Sequence, residues 1–251
     1  MVNGFLIAVV EIPPILVTLG SMKLLQGLAF IVTKPRPGGA FFVATIAAMP
    51  TTHLLYLHGF RSSPQSMKAQ KVAARVRTRY PNVCWWCPQL PPSPAEAMAL
   101  VMQGIQDWPR KRMAVMGSSL GGFYARWLAL QTGCAKAVLL NPAVFPARDL
   151  ARYIGEQTAW HDPAERFFFE PAFVDQLRAQ EADIAHLGAL HPATPQRQFA
   201  IVAQGDEVLD WREMQAFCAG GLLRLLPGSD HAISDFDEHI DDVFRFLDLI
   251  R

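Results

Sequence analysis

The five residues from Gly117 to Gly121, GSSLG, constrain the fold of this chain more than any other stretch. An apolar run from Met113 to Met116 leads into them, and a helix-forming run from Phe123 to Gln131 follows. This order predicts a strand, a sharp turn and a helix, with Ser119 at the apex of the turn. Such a turn is strained and brings helix and strand close together, so it needs small residues beside the serine. The pattern therefore predicts an accessible serine nucleophile.

Two main-chain N–H groups are predicted to stabilise negative charge beside that serine. The helix after the turn directs its unpaired N–H groups toward the hydroxyl, which makes the Leu120 amide one donor. Residues Thr52 to Leu57 predict the first core strand, and the loop after it, from His58 to Pro64, supplies the Phe60 amide as the second donor. Each donor contributes roughly 3 to 4 kcal/mol to the transition state. We therefore expect an oxyanion hole at these two amides.

A serine nucleophile also needs a base and an orienting acid. In this architecture the acid and then the base follow the serine along the chain, each just past the end of a later strand. The run from Gln198 to Ala203 predicts a buried strand, and Asp206 lies in the polar turn after it. The run from Leu222 to Leu226 predicts the next strand, and His231 lies in the following loop. The candidate catalytic residues are therefore Ser119, Asp206 and His231.

Asp210 and Glu207 compete with Asp206 for the role of the acid. Asp210 is better placed to cap a helix from Trp211 to Cys218, and Glu207 is expected to face solvent. The alternative for all these residues is an ordinary set of polar turns. Against it stands the order of four separate turns, each of which carries the residue that the chemistry requires.

Five motifs of the chain, at residues 56–64, 117–125, 140–143, 205–210 and 228–231, agree in order and spacing with one protein family. From about residue 51 onward the chain resembles the YqiA/YcfP-like bacterial esterases. The resemblance implies an α/β-hydrolase fold and esterase or thioesterase activity toward acyl esters and acyl-CoA thioesters. It implies the same three catalytic residues, and no cofactor or metal ion is expected.

Alternating strand and helix patterns predict an α/β fold, a mostly parallel central sheet with helices on both faces. Further predicted elements are helices at Met67 to Tyr80 and Pro94 to Trp108 and strands at Val83 to Cys87 and Ala135 to Leu140. Residues 145–195 are predicted to form a short helical cap, with helices from Ala147 to Gly155 and from Pro171 to Ala182. The aromatic run from Phe167 to Phe169 in this cap could line an acyl pocket or anchor the cap to the core.

Composition and charge narrow the choice of partners. The formal net charge is +1, and 18% of the residues are charged, so no attraction to nucleic acid is expected. The four cysteines are few and irregularly placed, which favours a reducing compartment and predicts a cytoplasmic protein. The expected partner is a small acyl ester or acyl-CoA. Arg61 is a candidate contact for an anionic part of it, such as a CoA phosphate, or else forms a salt bridge that stiffens the loop.

Residues 1–50 are a hydrophobic extension outside the pattern of the predicted hydrolase domain, 51–251. Residues 1–40 resemble a fragment of a ribose-type ABC sugar-transporter permease. The motifs that carry this resemblance are Ile12 to Met22 and Leu25 to Ala29. The free energy of inserting Ile12 to Thr33 into a membrane is close to zero, because the cost of Lys23 and of the prolines and glycines offsets the gain from the apolar side chains. Membrane contact is expected only through residues 1–33, and no basic segment precedes the apolar run to predict export. We interpret the extension as a fusion or a mis-set start, with packing on the domain surface as the alternative.

Other functions stay open at this point. A peptidase or a lipase uses the same fold and the same reactive groups. A non-catalytic binding protein is also compatible, since a fold does not determine a function. The first fifty residues suggest a membrane-transport component, but the chain lacks the several spans that a permease needs.

Overall fold

A computed structural model describes residues 29–32, 43–46, 49–160, 162 and 164–250. The chain divides into two units, Met1–Met49 and Pro50–Arg251. In the first unit, strands β1 (Ala29–Val32) and β2 (Val43–Ile46) form an antiparallel pair. The permease-like motifs and most of the candidate membrane segment lie outside the described residues. Within those residues, no helix has the length and apolar character needed to cross a membrane.

The second unit contains a six-stranded parallel sheet in the order β10-β9-β6-β5-β3-β4. The strands after β2 are β3 (His53–Leu57), β4 (Cys84–Trp86), β5 (Met113–Ser118), β6 (Lys136–Leu140), β7 (Gly155–Thr158), β8 (Arg166–Phe169), β9 (Gln198–Ala203) and β10 (Leu222–Leu226). The helices are α1 (Met67–Arg79), α2 (Pro94–Gly104), α3 (Leu120–Thr132), α4 (Pro146–Leu150), α5 (Pro171–Leu190), α6 (Trp211–Phe217) and α7 (Phe236–Leu247). The predicted α/β fold with a parallel central sheet is confirmed.

Both faces of the sheet are buried, because the strands are apolar at successive positions. In β3, Leu55 and Leu57 join one buried cluster with α2, α3 and α5, whereas Leu54 and Tyr56 join another with α1 and α7. Successive side chains of a strand point to opposite faces, so an uninterrupted apolar run supplies both clusters. The hydrolase unit is therefore a three-layer structure with its sheet in the middle.

Local sequence signals account for the helices that cover the sheet. Helix α2 begins where Ser93 accepts a hydrogen bond from the Glu96 N–H and Pro94 occupies the first turn. It ends at Gly104, before the predicted end at Trp108. Helix α7 buries one stripe against the sheet and leaves its acidic side outward. The residues of that stripe are Phe236, Ile240, Val243, Phe244 and Leu247.

The cap differs from the all-helical segment that the sequence predicts. Strands β7 and β8 form an antiparallel hairpin between α4 and α5, and helix α5 continues past Ala182 to Leu190. Strand β8 contains the aromatic run, in which Phe169 is buried. Aromatic residues favour strands because they pack well across a pleated surface, and this preference decides the local structure here. The helical prediction for Pro171 to Ala182 is confirmed. The predicted helix from Ala147 to Gly155 is too long, because α4 ends at Leu150, a 3₁₀ turn follows to Tyr153 and β7 begins at Gly155.

The carboxyl ends of the central strands lie level with one another. Leu57 pairs with Gly117, Ser118 with Leu140, and Leu226 with Ala203. From β3 the chain passes to β4 at one edge, whereas from β5 it continues through β6 toward the other edge. The connections thus reverse between β3 and β5, and such a reversal opens a crevice outside the carboxyl ends of the two strands.

Candidate active site

Ser119 lies in that crevice, on a strained turn between β5 and α3. Its backbone has φ 57° and ψ −123°, a conformation that a side chain other than glycine rarely adopts. Its N–H donates to the Leu140 carbonyl at 3.0 Å, and its carbonyl accepts from the Ala143 N–H at 3.0 Å. Contacts with the β6 end thus hold the turn in place, as expected for strain that the surrounding structure must compensate.

The glycines on either side of Ser119 allow the strand and the helix to approach. A Cβ on Gly117 would lie 1.9 Å from the Gly121 carbonyl oxygen, and one on Gly121 would lie 2.0 Å from the Leu57 carbonyl oxygen. Both neighbours are backbone atoms that cannot rotate away. The small residues predicted to flank the serine are therefore required by close packing of three backbone segments.

The structure brings together the three residues proposed as nucleophile, base and acid. His231 Nε2 lies 3.1 Å from the Ser119 hydroxyl oxygen, and His231 Nδ1 lies 2.7 Å from Asp206 Oδ2. The Asp206 side chain is fully buried. Because a carboxylate only accepts, the imidazole proton belongs on Nδ1, which leaves the lone pair of Nε2 directed at the hydroxyl. This arrangement suits proton removal from Ser119.

Backbone amides hold the Asp206 carboxylate in position. Its Oδ1 accepts from the Val208 and Leu209 N–H groups, each at 2.8 Å, while Oδ2 faces the imidazole. These bonds fix the plane of the carboxylate, so that Oδ2 stays directed at the imidazole. Asp206 can therefore orient the imidazole of His231 and balance a positive charge on it.

The two competing acids lie elsewhere. Asp210 accepts from the Arg212 N–H at 2.9 Å and caps α6, as the sequence predicts. Glu207 is exposed, but its carboxylate also accepts from the His231 backbone N–H at 3.0 Å. Glu207 thus fixes the loop that carries the imidazole, a contact that sequence alone did not indicate.

Asn141 is a site residue that the sequence analysis missed as a functional position. It is completely buried just after β6, with φ 40°. Its Oδ1 accepts from the Ala203 N–H at 2.8 Å, and its Nδ2 donates to the carbonyls of Asp230 and His231 at 3.0 and 3.1 Å. One amide thus joins the end of β9 to the loop of His231. The available signal was a polar residue directly after a buried strand.

The two predicted oxyanion donors lie at the same crevice. In the described part of the chain, neither the Phe60 N–H nor the Leu120 N–H makes a hydrogen bond. A Cβ on Gly59 would lie 3.1 Å from the Ser119 Cβ, so the Phe60 loop passes close to the serine. His58 shapes this loop, because its Nε2 accepts from the Leu90 N–H at 3.0 Å. Both amides can therefore bind an oxygen that develops charge beside Ser119.

Arg61 connects the loop of Phe60 to the cap hairpin. Its Nε donates to the Thr158 carbonyl at 2.6 Å, and its Nη2 donates to the Thr158 hydroxyl at 3.0 Å. The guanidinium carbon lies 4.1 Å from the ring centroid of Trp160. The structure therefore shows Arg61 stiffening the site through hydrogen bonds and a cation–π contact instead of the predicted salt bridge. Its contact with an anionic substrate stays a prediction.

Two cavities meet at the loop of Phe60. The Pro91 cavity has a volume of about 630 Å³, and the Lys68 cavity has a volume of about 270 Å³. Gly59, Phe60 and Ser62 line both. The Pro91 cavity is otherwise lined mainly by apolar groups, among them Leu90, Pro91, Pro92, Leu100, Leu120, Tyr124 and Phe167, with the charged residues Arg61, Glu96 and Glu165 also on its wall. The Lys68 cavity contains Ser119 and His231 together with Tyr56, Ser66, Lys68 and Trp160.

Burial perturbs two titratable groups on the wall of the Lys68 cavity. It lowers the pKa of the Lys68 ammonium to about 8, against a weaker opposing effect of Asp230 and Asp206. It raises the pKa of the Tyr56 phenol, which stays neutral. Among the described residues, no group of three or more His, Cys, Asp and Glu side chains is arranged to hold a metal ion.

The fold and the serine turn place this chain in the class of α/β hydrolases. A candidate hydrolase from Agrobacterium vitis S4 has a similar structure, with a TM-score of 0.61 at 15% identity over 88% of this chain and 98% of that one. A structure described under the metagenome-derived lipolytic enzymes LipS and LipT matches with a TM-score of 0.58 at 19% identity, over 80% of this chain and 95% of that one. Est1E of Butyrivibrio proteoclasticus with ferulic acid bound matches with a TM-score of 0.57 at 12% identity, over 86% of this chain and 92% of that one.

The family follows from the sequence. A model of the uncharacterised protein family UPF0227 matches residues 53–248, and the chain belongs to this family. The match covers the predicted YqiA/YcfP-like region and confirms that prediction.

Proposed function

We propose that the protein is a serine hydrolase that cleaves carboxylic esters or thioesters through an acyl-enzyme. The observation that carries this proposal is the hydrogen-bonded chain from Ser119 through His231 to Asp206. Its order, geometry and position at the carboxyl edge of the sheet match the needs of acyl transfer. The esterases and lipolytic enzymes among the structural neighbours agree with this chemistry but share only the fold at their low identity.

The first chemical step transfers the acyl group to the enzyme. His231 Nε2 removes the proton of Ser119 as the hydroxyl oxygen attacks the carbonyl carbon, and Asp206 stabilises the imidazolium. The amides of Phe60 and Leu120 bind the oxyanion that forms. His231 then returns the proton to the leaving oxygen or sulfur, the bond to the leaving group breaks, and the acyl group remains on Ser119. Water, activated by the same imidazole, releases the acid.

The two cavities suggest where the halves of the substrate bind. Because His231 must protonate the leaving atom, the leaving group belongs in the Lys68 cavity, which includes His231. The acyl chain then occupies the Pro91 cavity, beyond the predicted oxyanion donors Phe60 and Leu120. At about 630 Å³ this apolar cavity lies within the usual range of small-molecule sites.

A fluorophosphonate probe tests the proposal directly, because it labels only an activated serine. We expect mass spectrometry to find the adduct on the peptide that contains Ser119, and to find none in Ser119→Ala. Ser93→Ala, which removes a hydroxyl from the N-cap of α2 outside the cavities, should still be labelled. Labelling of Ser119→Ala equal to that of the unaltered protein would remove Ser119 from the mechanism.

Turnover assays separate the related activities. We expect a burst of p-nitrophenol from p-nitrophenyl butyrate, followed by steady turnover, since an acyl-enzyme accumulates. A panel of p-nitrophenyl esters, acyl-CoAs and aminoacyl amides then distinguishes an esterase or thioesterase from a lipase or peptidase. A folded protein that binds esters with neither a burst nor steady turnover would indicate a non-catalytic binding protein.

A further inference from the structure

The small cavity beside Ser119 contains a buried positive charge. Lys68, the second residue of α1, is only 9% exposed. Its Nζ donates a hydrogen bond to the Ala232 carbonyl, in the loop that carries His231. An ammonium has three N–H donors, and in the described part of the chain this carbonyl is its one hydrogen-bond acceptor. Lys68 therefore retains donors for a further acceptor.

The carboxylates nearest to Lys68 already have other partners. Asp206 accepts from the imidazole and from two backbone amides, and Asp230 accepts from the N–H and hydroxyl of Ser234. Neither forms an ion pair with Lys68 in the described part of the chain. Burial of an ammonium without a paired anion is unfavourable, which agrees with its lowered pKa of about 8. A bound anion would relieve this cost.

We propose that Lys68 forms the anion-binding part of the leaving-group site, so that the preferred substrates release a small alcohol or thiol bearing a carboxylate or phosphate. This inference rests on the proposed serine hydrolase function. Lys68 and His231 line one cavity, so a leaving atom protonated by His231 places its substituents near the ammonium. Helix α1 begins at the same wall with Ser66 and Met67, and the positive end of its dipole also favours an anion.

The size of the cavity limits the leaving group. A volume of about 270 Å³ corresponds to roughly nine water molecules at about 30 Å³ each. A two- or three-carbon alcohol with one anionic group fits this space. Trp160, which is 71% exposed, forms the outer wall, so a longer group would leave the cavity past an aromatic surface.

The test compares leaving groups of different charge, of which glycolate and glycolamide have nearly equal shape. The three substrates are the butyryl esters of glycolate, of glycolamide and of 2-hydroxyethyl phosphate. We expect Lys68→Met to lower kcat/KM for at least one anionic ester by about 10- to 100-fold, the usual range for a lost charge-assisted hydrogen bond. For the neutral glycolamide ester we expect a change of less than about threefold, because its leaving group offers the ammonium no charged acceptor. Comparing the glycolate and phosphate esters shows which anion the site prefers.

Lys71→Met is the matched control. Lys71 lies on the same helix, pairs with Asp237 at 2.8 Å and does not line the cavity. It changes the net charge by the same amount, so we expect it to leave the ratio of charged to neutral substrate unaltered. An equal shift of that ratio in both variants would assign the effect to overall charge and would overturn the proposal.

The pH dependence provides a readout that a purely structural lysine would not give. Lys68 loses its positive charge above pH 8, so the preference for the anionic ester should fall as pH rises through about 8. Asp206, Asp230 and His231 also face this region, but they are present in both the unaltered protein and Lys68→Met, so a comparison of the two pH profiles isolates the lysine. In Lys68→Met the ratio should stay constant over the same range.

Separate outcomes decide the inference and the function on which it rests. Equal losses on all three esters in Lys68→Met would show that Lys68 only holds the loop of Ala232, and would refute the anion site. Calorimetric titration with glycolate and with 2-hydroxyethyl phosphate, to the unaltered protein and to Lys68→Met, tests the site without turnover. Binding of either anion to the unaltered protein but not to Lys68→Met supports the site. The site is refuted if neither anion binds and kcat/KM shows no preference for the anionic esters. Absence of both fluorophosphonate labelling and ester hydrolysis would instead refute the hydrolase function.

Discussion

Replacing Asn141 should loosen the whole site, because one side chain connects two of its loops. In Asn141→Ala the buried N–H of Ala203 loses its acceptor, at a cost of about 1 to 3 kcal/mol. The two donated bonds to Asp230 and His231 contribute about 1 kcal/mol each. Alanine at φ 40° adds about 1 kcal/mol or more, since this region favours asparagine and glycine. The expected total is about 4 to 6 kcal/mol.

Urea unfolding of three variants tests this sum. Asn141→Gly removes the same hydrogen bonds without the backbone cost, so it should be about 1 kcal/mol less destabilised than Asn141→Ala. Gln215→Ala, at an exposed position of α6, should change the free energy of unfolding by less than about 0.5 kcal/mol. With p-nitrophenyl butyrate, kcat of Asn141→Gly should fall about 10- to 100-fold, because His231 is less well positioned.

The reasoning fails if Asn141→Ala unfolds within about 0.5 kcal/mol of the unaltered protein, the range typical of surface changes. It also fails if Asn141→Gly loses stability but keeps full kcat. That result would mean that Glu207 and the Asp206 pair hold the imidazole without Asn141.

Two further predictions address the acid and the serine turn. Asp206→Asn should lower kcat for p-nitrophenyl butyrate by about 10³- to 10⁴-fold with little change in KM, because an amide can favour the wrong imidazole tautomer. Asp210→Asn, which keeps a good helix cap, should retain kcat, and equal losses in both variants would contradict the assignment of the acid. Gly121→Ala should destabilise the protein in urea by about 3 kcal/mol or more, because its Cβ would lie 2.0 Å from the Leu57 carbonyl oxygen. Gly228→Ala, with nothing within 4 Å of the added Cβ, should change stability by less than about 0.5 kcal/mol, and a milder effect of Gly121→Ala than of this control would refute the packing argument.

The sequence predicted the sheet well because its signals are local. The strands Gln198–Ala203 and Leu222–Leu226 have the predicted bounds. The first is buried at every position, and a strand buried on both faces is a continuous apolar run between polar turns. The second is a partly exposed edge strand, and the turn residues on either side of its leucines set its limits. The predicted site residues lie together at the sheet edge because parallel strands end at the same edge. Order along the chain therefore sufficed to propose Ser119, Asp206 and His231.

Contacts between distant segments could not be predicted in this way. The role of Asn141 depends on three partners in two other loops, and nothing in its own neighbourhood specifies them. The hairpin of β7 and β8 depends on pairing across a loop without a short turn signal. Thr158, the hydrogen-bond partner of Arg61, lies at the end of β7 in that hairpin. Because the sequence did not predict the hairpin, it could not predict this partner.

The position of β10 at the margin of the sheet bears on how the protein would lose activity. This strand pairs only with β9 within the described sheet, and the chain leads from it directly into the segment that holds His231. Partial unfolding tends to begin in elements with few paired neighbours. Fraying of this one margin would detach the imidazole while Ser119, on the interior strand β5, kept its place. Thermal inactivation would then report on a local event and precede the collapse of the core.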